Sequence, residues 1–140
     1  MSFSHDIALR ILTSPFSRQL GIELVDAQRE HVVTRMAFRQ ENTTVADQVH
    51  GGAISALIDV TATAAAWVGL DPDKLPSFGT TVNLEVAFMA PAKSQDLRAT
   101  GTVARRGSSL AFCNVDVHDS DDQLVAQGRA VYKLGKPAAS

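Results

Sequence analysis

Residues 49–70, VHGGAISALIDVTATAAAWVGL, decide how this chain is read. They predict one helix that is apolar on nearly every side and opens on a His-Gly-Gly turn. Asp59 is the only Asp, Glu, Lys or Arg between Asp47 and Asp71. A helix that is hydrophobic all round is buried, and a carboxylate inside it is costly unless something satisfies or uses it. At about 100° per residue, Ser55 and Thr63 fall one turn from Asp59 on its own side, with Gly52 and Ala66 between them. The bulky side carries Ile54, Leu57, Thr61, Ala65 and Val68, with His50 at its start. The expectation is a broad back for a sheet and a narrow front of small residues around one carboxylate. Ser55 and Thr63 are the hydroxyls expected to keep Asp59 ionised; the alternative for such residues is a bond back to a carbonyl one turn earlier.

Outward from this helix the period changes to two. Leu20, Ile22 and Leu24, then Val32, Thr34, Met36 and Phe38, predict two antiparallel strands. Gln40–Gln48 is a polar loop leading into the helix. After a proline-containing loop, Thr80, Val82, Leu84, Val86 and Phe88 alternate with more polar residues up to Pro91, a long strand. Leu97–Arg105, Leu110–His118 and Leu124–Leu134 follow, joined by short turns that imply antiparallel pairing. Ser4–Thr13 reads as a short helix capped at Ser4 and ended before Pro15, with Phe16 and Leu20 seating it on the core. The fold class is α+β, an antiparallel sheet wrapped around one long helix. Residues 1–140 form a single domain, with a loose tail over about 135–140.

Composition excludes several function classes. The net charge of −2 gives no electrostatic case for nucleic acid. The central helix approaches membrane-spanning length, but its Asp and its richness in Ala, Thr and Ser predict burial in protein and no membrane partner. No basic and apolar leader opens the chain, and Cys113 is the single cysteine, so the expected setting is cytoplasmic. Cys113 falls on the inward face of its strand and reads as an inert thiol. His5, His31 and His118 have no metal-ligand spacing, so no metal is expected. No phosphate-binding loop or dinucleotide fingerprint is present. Arg105-Arg106-Gly107-Ser108 is a basic turn able to hold phosphates or to be a solvated hairpin; Lys93, Arg129, Lys133 and Lys136 are weaker candidates.

His50-Gly51-Gly52 is the second chemical feature. A helix N-terminus presents unpaired N–H groups and partial positive charge, and glycines let a ligand come close to that backbone. Such a terminus can polarise a carbonyl. His50 lies about 180° around the helix from Asp59 and roughly 13 Å along it, so the two cannot pair within one chain. His50 reads as mainly structural, with a catalytic role second.

With Asp59 seven positions after Gly52, and the strand TTVNLEVAF (80–88) followed by Pro91, the chain resembles the hotdog-fold acyl-CoA thioesterases of the PaaI-like branch. The likeness covers about Phe16 to Lys133. It implies hydrolysis of coenzyme A thioesters at a site shared by two subunits, with Asp59 as nucleophile or general base. It implies that the Gly51 N–H of the neighbouring subunit polarises the thioester carbonyl, beside Gly52. It implies that a Ser or Thr at the start of the next long strand, matched by Ser77, places the water or the Asp. Relatives often carry Asn six residues before the histidine and Gly three before it; here these are Thr44 and Asp47, and Thr44 or Gln48 stands in. The implied partners are an acyl-CoA substrate and a second copy of the chain, as a homodimer and commonly a dimer of dimers. No cofactor is implied, because coenzyme A is part of the substrate. Two other functions fit the same features: a hotdog hydratase or dehydratase of hydroxyacyl thioesters, and a non-catalytic acyl-CoA-binding module. The acyl group is left open.

Overall fold

A computed structural model describes residues 2–136. The chain runs α1 (Phe3–Leu12), α2 (Pro15–Leu20), β1 (Ile22–Gln28), β2 (His31–Met36), α3 (Gly51–Val68), β3 (Gly79–Phe88), β4 (Leu97–Arg106), β5 (Leu110–His118) and β6 (Leu124–Leu134), with short 3-10 turns at Gln40–Asn42 and Pro72–Lys74. The six strands form one antiparallel sheet in the order β1-β2-β4-β5-β6-β3. The chain therefore leaves β2, passes through α3, and enters the far edge of the sheet as β3. It then returns to lay β4 beside β2.

The sheet curls around α3, which touches all six strands. Ile54, Leu57, Ile58, Thr61, Ala62, Ala65 and Val68 are buried against it. Glycine sets how near the helix comes. A Cβ on Gly128 of β6 would lie 2.4 Å from Cγ2 of Ile58, and one on Gly101 of β4 would lie 2.9 Å from Cγ2 of Thr61. Thr61 is fully buried yet satisfied. Its hydroxyl is 2.7 Å from the Leu57 carbonyl and 2.7 Å from the hydroxyl of Thr34 on β2. By length and composition α3 is apolar enough to cross a membrane, but its burial is that of a core helix.

Several expectations change. The N-terminal helix is capped by Ser2, whose side chain accepts from His5 N, while the Ser4 hydroxyl reaches the Val68 carbonyl at 3.4 Å. α1 ends before Pro15 as expected, and Pro15 itself opens α2, because the first helical position needs no N–H and suits the fixed φ of proline. Leu20 is buried as expected, but Phe16 on α2 is 57% exposed rather than seated on the core. Of the tail expected to be loose, Gly135 and Lys136 are tied by backbone bonds to Phe78 and Ser77; residues 137–140 lie outside the described residues.

A further change is in β3. Its pairing with β6 slips between Thr81 and Asn83, leaving Val82 as an extra residue. Side chains five apart point to opposite faces of a regular strand. With the bulge, both Thr81 and Val86 turn inward, while Val82, Leu84 and Phe88 are exposed. The uninterrupted alternation expected over residues 80–88 is broken there.

Between β2 and the loop before α3, Asp96 acts as a clasp. Its carboxylate accepts the Phe38 N–H at 2.8 Å and an Arg35 N–H at 2.7 Å. The Phe38 amide, then Arg35, hold the Asp96 carboxyl below its ordinary range. A lowered folded-state pKa contributes stability that is present above the unfolded pKa and lost as pH falls through the folded one. Asp96→Asn is expected to destabilise by about 1 kcal/mol at neutral pH, since the clasp is partly solvated. In denaturant titrations the gap to the wild type should close as pH falls below about 3.8.

Cys113 is buried, and burial pushes its thiol up to about 11. At pH 8 roughly one thiol in a thousand is then ionised. Native protein should resist iodoacetamide at that pH for hours and react within minutes once unfolded, as read by mass spectrometry.

Candidate active site

The first turn of α3 accounts for its donors one by one. His50 stands just outside the helix, at φ −64° and ψ 135°, and its Nδ1 accepts the Gly52 N–H at 2.7 Å. The accepting Nδ1 carries no proton, which leaves the ring N–H on Nε2. The His50 N–H donates to the Asn42 carbonyl at 2.7 Å, and the His50 carbonyl accepts from Ala53 and Ile54. Asn42 is buried and held by the Leu20 carbonyl. Gly51 keeps the one N–H of this turn without a partner among the described residues. It opens on a cleft of about 320 Å³ lined by Gln48, Val49, Ile54, Phe88 and Pro91. Thr44 is exposed in the loop above and its N–H bonds the Gln48 carbonyl. His50 is thus the helix cap, in line with its structural reading.

Asp59 lies eight residues further on, about 12 Å along the axis. The front of α3 is the stripe the sheet leaves partly uncovered: Ser55, Ala56, Asp59, Val60, Thr63 and Trp67. Ala66, expected on this side, is fully buried. The hydroxyl on Asp59 is that of Thr81, which donates to Oδ1 at 2.6 Å. Oδ2 has no protein partner among the described residues. Ser55 donates instead to the Gly51 carbonyl at 2.9 Å, the bond expected of a mid-helix hydroxyl one turn from a carbonyl. Thr63 makes no side-chain bond among the described residues, so neither flanking hydroxyl supports the carboxylate. Ser77 is exposed and precedes the strand, its N–H on the Lys136 carbonyl. The Pro72–Lys74 turn lengthens the connection, β3 starts at Gly79, and Thr81 is the hydroxyl that faces α3.

Directly across from Thr81 on β6 is Tyr132. Its oxygen accepts the Trp67 Nε1–H at 3.0 Å. Burial pushes the phenol up; the Trp67 bond works the other way, and the charge on Asp59 adds to the rise. Sequence reasoning missed both Thr81 and Tyr132.

The basic turn divides. Arg106 is turned inward: Nε donates to Glu30 at 2.8 Å and Nη2 to the Ala66 carbonyl at 2.8 Å. There it neutralises Glu30 and suits the negative end of α3. It is a structural residue rather than a phosphate ligand. Arg105, Gly107 and Ser108 are exposed, at the opposite end of α3 from Gly51. No group of three or more potential metal-binding side chains occurs among the described residues.

Residues 47–126, more than half the chain, match the model of the thioesterase superfamily. The chain belongs to the thioesterase superfamily. Human acyl-coenzyme A thioesterase 13 is 34% identical over 123 residues, which cover 86% of this chain and 85% of that protein. Medium/long-chain acyl-CoA thioesterase YigI of Salmonella typhimurium is 28% identical over 135 residues, 86% of each. The structure of zebrafish thioesterase superfamily member 2 superposes with a TM-score of 0.78 at 30% identity, covering 93% of this chain and 94% of that one. The Escherichia coli PaaI protein superposes with a TM-score of 0.82 over 99% of this chain and 100% of its own. At 19% identity that match speaks for the fold, the hotdog fold of PaaI-like thioesterases.

If Thr81 is the hydroxyl that orients Asp59, Thr81→Val should cut thioester turnover roughly 10–100-fold, the worth of one charge-assisted hydrogen bond. Ser77→Ala should change it less than about two-fold. Steady-state thiol release by the two variants checks the assignment, and the reverse order would restore Ser77.

Proposed function

We propose that the protein is an acyl-CoA thioesterase, with Asp59 and the Gly51 N–H as the two halves of a site completed by a second subunit. The observation that carries this reading is the state of those two groups. Among the described residues Gly51 holds the one unused donor of the α3 N-terminus, and Asp59 holds an unused carboxylate oxygen on the uncovered stripe of the same helix. They lie about 12 Å apart along one helix, too far to share a carbonyl. A two-fold partner brings each to the other's complement.

The edge strand supports that partner. β3 ends the sheet with its backbone open on one side, and it exposes Val82 (51%), Leu84 (36%) and Phe88 (54%). An exposed apolar edge is a ready template for pairing with a second chain. The homodimer is the minimal unit, and two dimers associate in the larger assembly. The lone buried Cys113 supports a cytoplasmic setting.

In the reaction the Gly51 N–H of one subunit donates to the thioester carbonyl oxygen and stabilises the oxyanion as the tetrahedral carbon forms. Asp59 of the other subunit, held through Oδ1 by Thr81, acts through Oδ2. On one route Oδ2 attacks the carbonyl carbon, coenzyme A leaves as the thiolate and takes a proton, and water opens the resulting anhydride. On the other, Oδ2 takes a proton from the attacking water and passes it to the departing sulfur. Both give a carboxylic acid and free coenzyme A. Gly52 and Gln48 flank the donor, and Arg105 with Gly107 and Ser108 is the surface turn proposed for phosphates. A hydratase needs a histidine at the carboxylate; His50 is occupied as the helix cap, which favours hydrolysis.

The test is thiol release from a panel of aliphatic, aryl and hydroxyaryl acyl-CoAs. Asp59→Asn should keep the fold and lower turnover by about 10²–10⁴-fold; folded wild type without release on any substrate would leave a binding module. Gly51→Pro removes the donor. Proline suits the first helical position, and His50 already has the extended backbone that a residue before proline adopts. A Cβ there meets the Phe88 ring at 3.3 Å, a small adjustment of an exposed side chain. Each variant alone should be nearly inactive. Unfolded and refolded together in equal amounts, they should regain about a quarter of wild-type activity: half the dimers are mixed, and each mixed dimer has one intact site of two. No recovery from the mixture would refute the shared site.

A further inference from the structure

Tyr132 is a buried polar side chain that this mechanism does not use. It is 6% exposed, and its oxygen is already an acceptor, taking the Trp67 Nε1–H. Among the described residues its own O–H has no acceptor. A buried donor left without a partner keeps its full desolvation cost. An acceptor supplied by a ligand would remove that cost.

The phenol stands beside the uncovered stripe of α3. Asp59, Thr63 and Trp67 follow one another at four-residue spacing along the uncovered stripe of α3, and Tyr132 is bonded to the last of them. Its ring reaches that point because Gly79 has no side chain: a Cβ there would stand 2.5 Å from the phenol oxygen. Gly79 and Thr81 lie two residues apart on the inward face of β3, about 6–7 Å along the strand. The phenol therefore sits about that far from the Thr81–Asp59 contact, within reach of the Asp59 charge. The Trp67 bond withdraws charge from the phenol oxygen and makes its proton a better donor.

We infer that Tyr132 is a specificity-determining residue whose O–H donates to an oxygen on the acyl group, several bonds from the thioester carbon, so that the site prefers oxygenated acyl chains to plain aliphatic ones. The inference rests on the thioesterase reading, with Asp59 at the reacting carbon. A plain methylene chain in the same place covers the donor and leaves it unpaired. Sites built around such a donor reject the analogue that lacks the acceptor more strongly than apolar pockets discriminate by size.

The experiment compares octanoyl-CoA with 4-, 5- and 6-oxooctanoyl-CoA on the intact wild-type protein. At least one keto isomer should show kcat/KM roughly 10–100-fold above octanoyl-CoA, the range of one satisfied buried donor. Tyr132→Phe should abolish that preference by slowing the keto substrate while octanoyl-CoA is unchanged or faster. Trp67→Phe, which keeps the phenol but removes its donor, should lose part of the preference. Four substrates within about three-fold of one another in the wild type would overturn the inference and leave the thioesterase reading intact. So would a preference that survives Tyr132→Phe. No hydrolysis of any of the four, nor of any member of the wider panel, would overturn both.

Discussion

Close contact between α3 and the sheet is the constraint from which the rest follows. Gly101 and Gly128 remove the two Cβ atoms that would collide with Thr61 and Ile58, and so let the helix lie against the strands. At that distance the sheet curls over α3, and sheet and α1 together bury its bulky residues. The stripe that carries Asp59 is covered by neither, and the sheet ends at β1 and β3. The carboxylate is therefore compatible with burial of the helix for a geometric reason: the rest of the chain packs on the other sides of α3 and leaves that stripe partly open.

The ends of α3 are treated differently. At the C-terminal end Arg106 bonds the Ala66 carbonyl and Glu30, and Ser4 reaches the Val68 carbonyl, so the negative end of the dipole is occupied within the chain. At the N-terminal end His50 takes the Gly52 N–H, and Gly51 is left. One end is closed and the other keeps a donor in reserve. The rigid cap matters to the open donor, since His50 holds the first turn in place while making no use of the Gly51 N–H itself.

Much of this was legible beforehand. The apolar run with its Gly-Gly entry marks α3 within two residues of its ends, and the period-two segments locate all six strands. The lone Asp59 in an apolar helix singles out the proposed site from sequence alone. What was not legible depends on positions that local pattern does not encode. Ser55 was expected beside Asp59 because angle on a helical wheel ignores the competing carbonyl one turn back, which in fact holds it. Arg106 looked like a surface cation because nothing near it in sequence reveals Glu30 or Ala66. Thr81 was placed on the wrong face because strict alternation cannot anticipate the extra residue Val82. A signal existed: Thr80-Thr81-Val82-Asn83 puts three β-branched residues in a row, with no clean polar and apolar alternation, where a strand meets its bulge.

The Val82 bulge also separates two kinds of spacing. From Gly51 to Asp59 the helix fixes each position by rise and angle, so one inserted residue would turn the carboxylate away by about 100°. From Asp59 to Thr81 the chain leaves the helix, crosses an exposed loop with a 3-10 turn, and re-enters order only by pairing with β6. Thr81 is aimed by its cross-strand neighbour Tyr132, not by its count from Asp59. The loop between can gain or lose residues without moving the hydroxyl, provided the bulge keeps its place in the ladder. The conserved quantity in such a site is register rather than distance along the chain.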